Sequence, residues 1–337
     1  MTPPDPTPDP AADLDWTVNR GARVVTFGET MAMLRSWQIG SLAHLPSLDI
    51  SLAGAESNVA IGLQRLGVPT AWISKVGDDP LGIRVRREIR AEGVEIHCPA
   101  DTGRPTGMML KSRPTATTTR VDYYRDGSAA SALSPGDLPA DLIENAELLH
   151  LSGITPMLSA SAAQALTAAV ERAVAAGTRI SLDVNYRSRL GSREHLAELL
   201  TPVVPHVDII FGGPEELTIL APGVDGEDDS GILRAVKNLG PSDVVVKLGA
   251  DGAATLRDEE PVNAPGLAVD VVDTVGAGDA FVAGYLSAWI DGADPTTSLE
   301  RANFCGAFAC TTPGDWEGAP FLGDLDTRRD GGDPVSR

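Results

Sequence analysis

The sequence predicts an α/β fold, a doubly wound and mainly parallel sheet flanked by helices, with a small β-sheet lid. Three observations lead there. Apolar, β-branched runs alternate with stretches of helical period along most of the chain. A glycine-rich turn, Gly276-Ala-Gly278, separates one such run from a helix-like segment. Two stretches, residues 31–52 and 106–124, break the alternation with β-branched and polar residues of little helical period.

Residues 24–28, 70–77, 148–152, 179–185, 207–212 and 243–248 are mostly apolar, as strands buried on both faces should be. In 57–66, Val59, Leu63 and Leu66 recur at helical spacing and Gly67 stops the run. Asp79-Pro80 supplies a cap and first turn for a helix with Leu81, Val85 and Ile89 on one face, ended by Gly93. Residues 159–176 are Ala-rich and helical. Residues 267–272 read as a strand leading into the glycine turn, and 280–290 as the helix beyond it. Residues 117–123 look like an exposed antiparallel strand, and 31–52 with 106–124 form the lid. Alternation of this kind puts ligands at the carboxyl ends of the strands. Residues 21–323 form the domain. Residues 1–20, rich in Pro and Asp, read as a disordered tail, and 324–337 as a flexible one.

A net charge of −20 argues against nucleic acid and anionic membrane as partners. No apolar run reaches membrane-spanning length, and the N-terminus lacks the basic and apolar regions of a secretory signal. Three cysteines, Cys98, Cys305 and Cys310, without metal or redox spacing, imply reduced thiols and a cytoplasmic protein. The five histidines show no ligand spacing, and His150, in a strand-like run, reads as buried.

Asp273-Thr-Val-Gly-Ala-Gly-Asp-Ala-Phe281 carries the chemistry. At a helix N-terminus the amides of Gly276, Ala277 and Gly278 attract phosphate through hydrogen bonds and the helix dipole. A carboxylate in that cradle, Asp279, makes sense as the acceptor of a proton while the amides hold a phosphoryl group. A plain Gly-rich turn capped by Asp279 is the alternative. A dinucleotide fingerprint fails at Phe281, where a third glycine is needed, and no P-loop occurs in the chain.

This segment resembles the second signature of the PfkB (ribokinase-like) carbohydrate kinases. Other segments match that family in order across about residues 22–323. Ala53-Gly-Ala-Glu-Ser-Asn58 resembles its first signature, Ser181-Leu-Asp-Val-Asn-Tyr-Arg187 its Asp-x-Asn-x-Arg, and Lys247-Leu-Gly-Ala-Asp-Gly252 its nucleotide loop. Gly28-Glu-Thr-Met31, Tyr123-Tyr-Arg-Asp-Gly-Ser128, His150-Leu-Ser-Gly-Ile-Thr-Pro156 and Gly314-Asp-Trp-Glu-Gly-Ala-Pro320 resemble, within it, the 2-keto-3-deoxygluconate kinases.

The resemblance implies a ribokinase-like fold and transfer of the γ-phosphoryl of ATP to a sugar hydroxyl. Asp279 would be the general base over an anion hole of Gly276, Ala277 and Gly278. Gly54, Asn58, Tyr123, Arg125, Arg187 and Asp315 would contact the sugar, with Arg187 clamping a carboxylate. Asn185, Lys247, Gly249, Gly252 and Asn303 would serve ATP. Glu216 would support the water shell of Mg²⁺, although Gly213 stands where the family's Asn-x-x-Glu has Asn. Asp273 resembles a ligand of the family's monovalent cation site, making K⁺ a candidate cofactor. The lid is a candidate surface for homo-oligomerisation.

The expected substrate is 2-keto-3-deoxygluconate, phosphorylated to its 6-phosphate. Met33 stands where a ribose kinase has Asp, and Met109 where the keto-acid kinases have Tyr. A kinase for fructose, another ketose or another keto-deoxy acid is the first alternative. A non-catalytic sugar or nucleotide sensor on the same fold is the second.

Overall fold

The structure is a computed structural model that describes residues 21–115, 117–224 and 228–327. The expected tail over 1–20 lies outside them. Of the tail expected over 324–337, Asp324–Thr327 form a last helical turn and the rest lies outside the described residues.

The chain opens with β1 (Val24–Phe27), then β2 (Met31–Ile39) and β3 (Asp49–Ala53). Helix α1 (Ala55–Arg65), β4 (Thr70–Ile73), β5 (Val76–Gly77), α2 (Pro80–Ala91), β6 (Glu95–His97) and β7 (Ala100–Asp101) follow. Next come β8 (Met108–Thr115), β9 (Thr118–Tyr124), α3 (Ala140–Asn145), β10 (Leu148–Ser152), α4 (Ala160–Ala176) and β11 (Arg179–Asp183). Then α5 (Arg193–Leu200), β12 (Ile209–Gly212), α6 (Pro214–Leu220), α7 (Asp229–Lys237), β13 (Asp243–Lys247), β14 (Ala253–Leu256) and β15 (Val262–Ala264). Helices α8 (Ala277–Ile290) and α9 (Pro295–Ala309) complete the body.

The large sheet runs β15-β14-β13-β12-β11-β10-β1-β4-β6. It is parallel from β13 to β6, and only β14 and β15 are antiparallel. Alternate side chains enter two cores, as the period of a strand dictates. Val25, Phe27, Leu149, Leu151, Leu182 and Val244 face α3–α7, while Val24, Leu148, Ile209, Phe211 and Val245 face α1, α8 and α9. Helix α2 begins as its sequence implies, with Asp79 Oδ1 accepting the Gly82 N–H at 2.8 Å.

The smaller sheet has the order β3-β2-β8-β9, with β2 and β8 parallel and the outer pairs antiparallel. It stands at the carboxyl end of β1, where the parallel order reverses direction from β10 to β4. That is where a doubly wound sheet opens a crevice.

Residues 267–272 are not a strand. Val271 and Val272 are 61% and 58% exposed. The amides of Val272 and Asp273 donate to the Cys310 carbonyl, at the end of α9, instead of to a sheet neighbour. Pro265-Gly266 precede the apolar run and Asp270 interrupts it, and the glycine turn is entered from an irregular loop.

Candidate active site

A cleft of about 920 Å³ opens between the large sheet and the lid sheet. Met31, Met109, Lys111, Val121 and Tyr123 form its lid side, and Asp183, Asn185, Lys247, Gly276, Gly278 and Asp279 its floor.

Gly276 is the cap residue of α8, with a left-handed φ of 76° that only glycine adopts without strain. A Cβ there would also stand 1.6 Å from the Asp315 carbonyl oxygen. The first amides of a helix have no partner within it. Here Gly276 and Gly278 line the cleft, while the Ala277 amide turns back to the Thr274 carbonyl at 3.4 Å. The cradle expected from three amides is thus open at Gly276 and Gly278. Asp279, in the first turn of α8, accepts the Asn58 side-chain amide at 2.8 Å.

Burial raises the Asp279 carboxyl to about 7, and the neighbouring Asp315 adds to the rise. The Asn58 bond and the Arg187 charge pull the other way. Asp315 is itself raised to about 6, by burial first, with Asn58 and Lys111 pulling the other way. Asn58, on α1, thus stands beside two carboxyls of the cleft and bonds one of them, Asp279. An Asp poised near neutrality suits general-base work.

Lys247, at the end of β13, puts its Nζ 2.8 Å from both oxygens of Asp183, at the end of β11. Burial alone would lower the ammonium pKa, but Asp183, Glu216 and Asp279 raise it. Its Nζ lies 3.9 Å from where a Cβ on Gly278 would be, so a fixed positive charge faces the cradle. Glu216, on α6, accepts the Tyr186 amide at 2.9 Å and the Gly213 amide at 2.8 Å. It thereby holds the turn carrying Asn185, whose φ of 44° is the one positive value among described non-glycine residues. Asp183, Asn185 and Glu216 give that wall oxygen donors of the kind magnesium takes directly or through water.

The arginines divide. Arg187 is exposed at the cleft mouth, and the structure gives it one bond, from Nη1 to the Tyr186 carbonyl at 3.3 Å. Arg125 lines the cleft too, but its guanidinium is paired with buried Glu29, with Nε at 2.6 Å, while the Ser128 hydroxyl takes the other Glu29 oxygen. Arg125 is in this arrangement a clamp between β1 and the end of β9. Gly54 lies at the cleft's edge, just before α1, and Tyr123 is flanked by Arg125 and Arg189 at 6.0 and 5.8 Å from its ring.

Three residues expected to serve ATP lie away from the cleft lining. Gly249 and Gly252, with φ of 62° and 102°, shape the turn from β13 to β14. Asn303 donates to the Ala264 and Pro265 carbonyls at 3.1 Å and ties α9 to β15.

Asp273, the residue expected beside a monovalent cation, is engaged by protein groups. Its Oδ2 meets the Lys111 ammonium at 2.6 Å, and its Oδ1 accepts the Val275 amide at 3.3 Å. Among the described residues no cluster of three His, Cys, Asp or Glu is arranged to hold a metal.

Lys111 was not singled out in the sequence. Its signal was available. It shares the period of Met109 along β8, two residues on, and it is one of only four lysines in the chain.

An acid poised near neutrality over open helix amides, beneath a β lid, defines a phosphotransferase of the sugar-kinase kind. The pfkB family carbohydrate kinase profile matches residues 22–321, and the chain belongs to that family. The 2-dehydro-3-deoxygluconokinase of Bacillus subtilis is 38% identical over 301 residues, spanning 88% of this chain and 92% of that one. The 2-dehydro-3-deoxygalactonokinase of Haloferax volcanii is 34% identical over 295 residues, spanning 87% and 92%. A solved putative ribokinase II of E. coli, in complex with ATP and Mg²⁺, superposes with a TM-score of 0.82 at 26% identity, covering 91% of this chain and 98% of that one.

Proposed function

We propose that this carbohydrate kinase transfers the γ-phosphoryl of ATP to the terminal hydroxyl of 2-keto-3-deoxygluconate, giving its 6-phosphate. The observation that carries the reading is Asp279, raised to about 7 and standing beside the open amides of Gly276 and Gly278 in a cleft also lined by Lys247 and Arg187. Asp279 takes the hydroxyl proton as the oxygen attacks. The two amides and Lys247 hold the charge that spreads over the transferring group.

Magnesium, held with the ATP phosphates, would neutralise their charge. Asp183, Asn185 and Glu216 are the residues that would face its ligand shell. Arg187 pairs with the substrate carboxylate. A neutral ketose such as fructose has no group to match it, which favours the sugar acid.

The test is ADP release from ATP·Mg²⁺ with a panel of 2-keto-3-deoxygluconate, its galactonate epimer, fructose and ribose. The acid should be turned over with the highest kcat/KM. Preference for fructose would replace the proposed substrate, and no turnover on any sugar would favour a sensor.

A further inference from the structure

Glu317 lies two residues past Asp315, and one carboxylate of this residue joins three parts of the protein. Its Oε2 accepts the backbone amides of Asp315 and Trp316 at 2.9 and 3.2 Å. Its Oε1 accepts the Ser51 hydroxyl at 2.6 Å and meets Arg35 Nη2 at 3.0 Å. Ser51 is on β3 and Arg35 on β2, so the lid sheet is fastened to the loop that carries Asp315. Gly314 bends around the same carboxylate with φ of 139°, where a Cβ would stand 2.2 Å from Oε2. Arg35 depends on this partner. Its Nε and Nη1 are buried without a hydrogen bond, and its guanidinium lies 4.1 Å from the Trp37 ring centroid.

The far side of the loop touches the chemistry. The Asp315 carbonyl packs directly on Gly276, the first residue of the anion cradle. The Asp315 carboxyl lies close enough to Asp279 to raise it, and both line the cleft. A shift of Asp315 therefore moves both an amide of the cradle and the neighbour that tunes the base. The Lys111–Asp273 pair is a parallel strap from β8 to the other end of the same glycine loop. Glu317 remains ionised between these partners. Burial would raise its carboxyl, but Ser51, its own amide and Arg35 hold it below the usual range.

We propose that Glu317 is a positioning residue for phosphoryl transfer: tied to the lid through Arg35 and Ser51, it fixes the Asp315 loop and through it Gly276, so that the anion cradle is complete when the lid is seated. Donors to a developing charge act only where they are placed correctly, and misplacement by about 1 Å costs on the order of 10²-fold in rate.

The proposal rests on the sugar-kinase reading, so wild-type turnover is established first. Its absence on every sugar would defeat that reading and not this one. Wild type, Glu317→Ala, Glu317→Gln, Arg35→Ala and the double variant Arg35→Ala/Glu317→Ala are then compared. Steady-state kinetics, thermal melts and the affinity for ADP with aluminium fluoride and sugar, a mimic of the transferring phosphoryl, are measured. Glu317→Ala should lower kcat about tenfold or more and leave the KM for ATP within about twofold. Affinity for the aluminium fluoride complex should fall in step with kcat. Glu317→Gln should recover part of the loss. Arg35→Ala should lower kcat about threefold, and the double variant should be no worse than Glu317→Ala, because both act through one strap. Unchanged kcat in Glu317→Ala would overturn the proposal, as would equal losses in kcat and ADP affinity, or fully multiplicative effects in the double variant. If Glu317→Ala does not fold, Glu317→Gln and Arg35→Ala carry the same comparison.

Discussion

The side-chain amide of Asn58 donates to the carboxylate of Asp279 at 2.8 Å, joining the first turn of α1 to the first turn of α8. The bond orients the carboxylate over the cradle and favours its ionised form. It links the segment resembling the family's first signature to the one resembling its second, on two helices that pack against each other.

Replacing Asp279 by Asn keeps the shape but removes the proton acceptor. Turnover should fall about 10²–10⁴-fold. ATP affinity should change little, since the amides and Lys247 remain. Calorimetric titration of nucleotide beside steady-state rates separates the two, and near-normal turnover would remove Asp279 as base.

The base works when ionised, so kcat/KM should rise with pH through about 7, the value to which burial brings Asp279. Asn58 lowers that value. Asn58→Ala should therefore move the ascending limb to higher pH as well as reduce the rate. A limb that stays in place would show that another group governs it.

Arg187→Ala should weaken binding of the keto acid about ten- to a hundredfold, the range for one charge-assisted hydrogen bond. Binding of the corresponding neutral alcohol should be nearly unaffected. Equal losses for both ligands would show that Arg187 does not read the carboxylate.

Glu56, buried at the start of α1, is raised by burial from 4.5 to about 7. Thr155 bonds one of its oxygens at 2.6 Å, and the other has no partner. Its folded value lies above its unfolded one, so folding favours the protonated form. The stability this gives is complete below about pH 4.5 and is lost as pH rises through about 7. Glu56→Gln should raise Tm at about pH 8.5 by about 3 °C or more and change it little at about pH 5. Equal shifts at both would show that ionisation of Glu56 is not at issue.

The parallel strands were legible because each is a local apolar run; β1, β10, β11, β12 and β13 fall within a few residues of their expected bounds. The pairing of β2 with β8 was not legible, since nothing local tells a strand which distant edge it will join. The same limit governs the site. Asp279 was marked by the glycines around it. Arg125 and Arg187 look alike in sequence, yet one is held by Glu29, 96 residues away, and the other stays at the cleft mouth. Lys111 and Glu317 were overlooked because a charged residue in a strand or loop is usually solvated, and their partners lie far off in the chain. Residues 267–272 misled because β-branched composition measures fitness for a sheet, while the amides of Val272 and Asp273 are taken by the end of α9.

All four lysines have their nitrogens engaged by oxygens of the protein. Lys75 pairs with Asp137 at 3.3 Å, Lys111 with Asp273 at 2.6 Å and Lys247 with Asp183 at 2.8 Å, and Lys237 donates to the Ser242 carbonyl at 2.9 Å. Condensation of a side chain with a ketone requires a free amine nitrogen, and each lysine nitrogen is held by an oxygen of the protein. An enzyme that handles a 2-keto acid would thus offer that carbonyl no lysine ready to form an imine, and its own substrate would not slowly modify the two lysines that line the cleft.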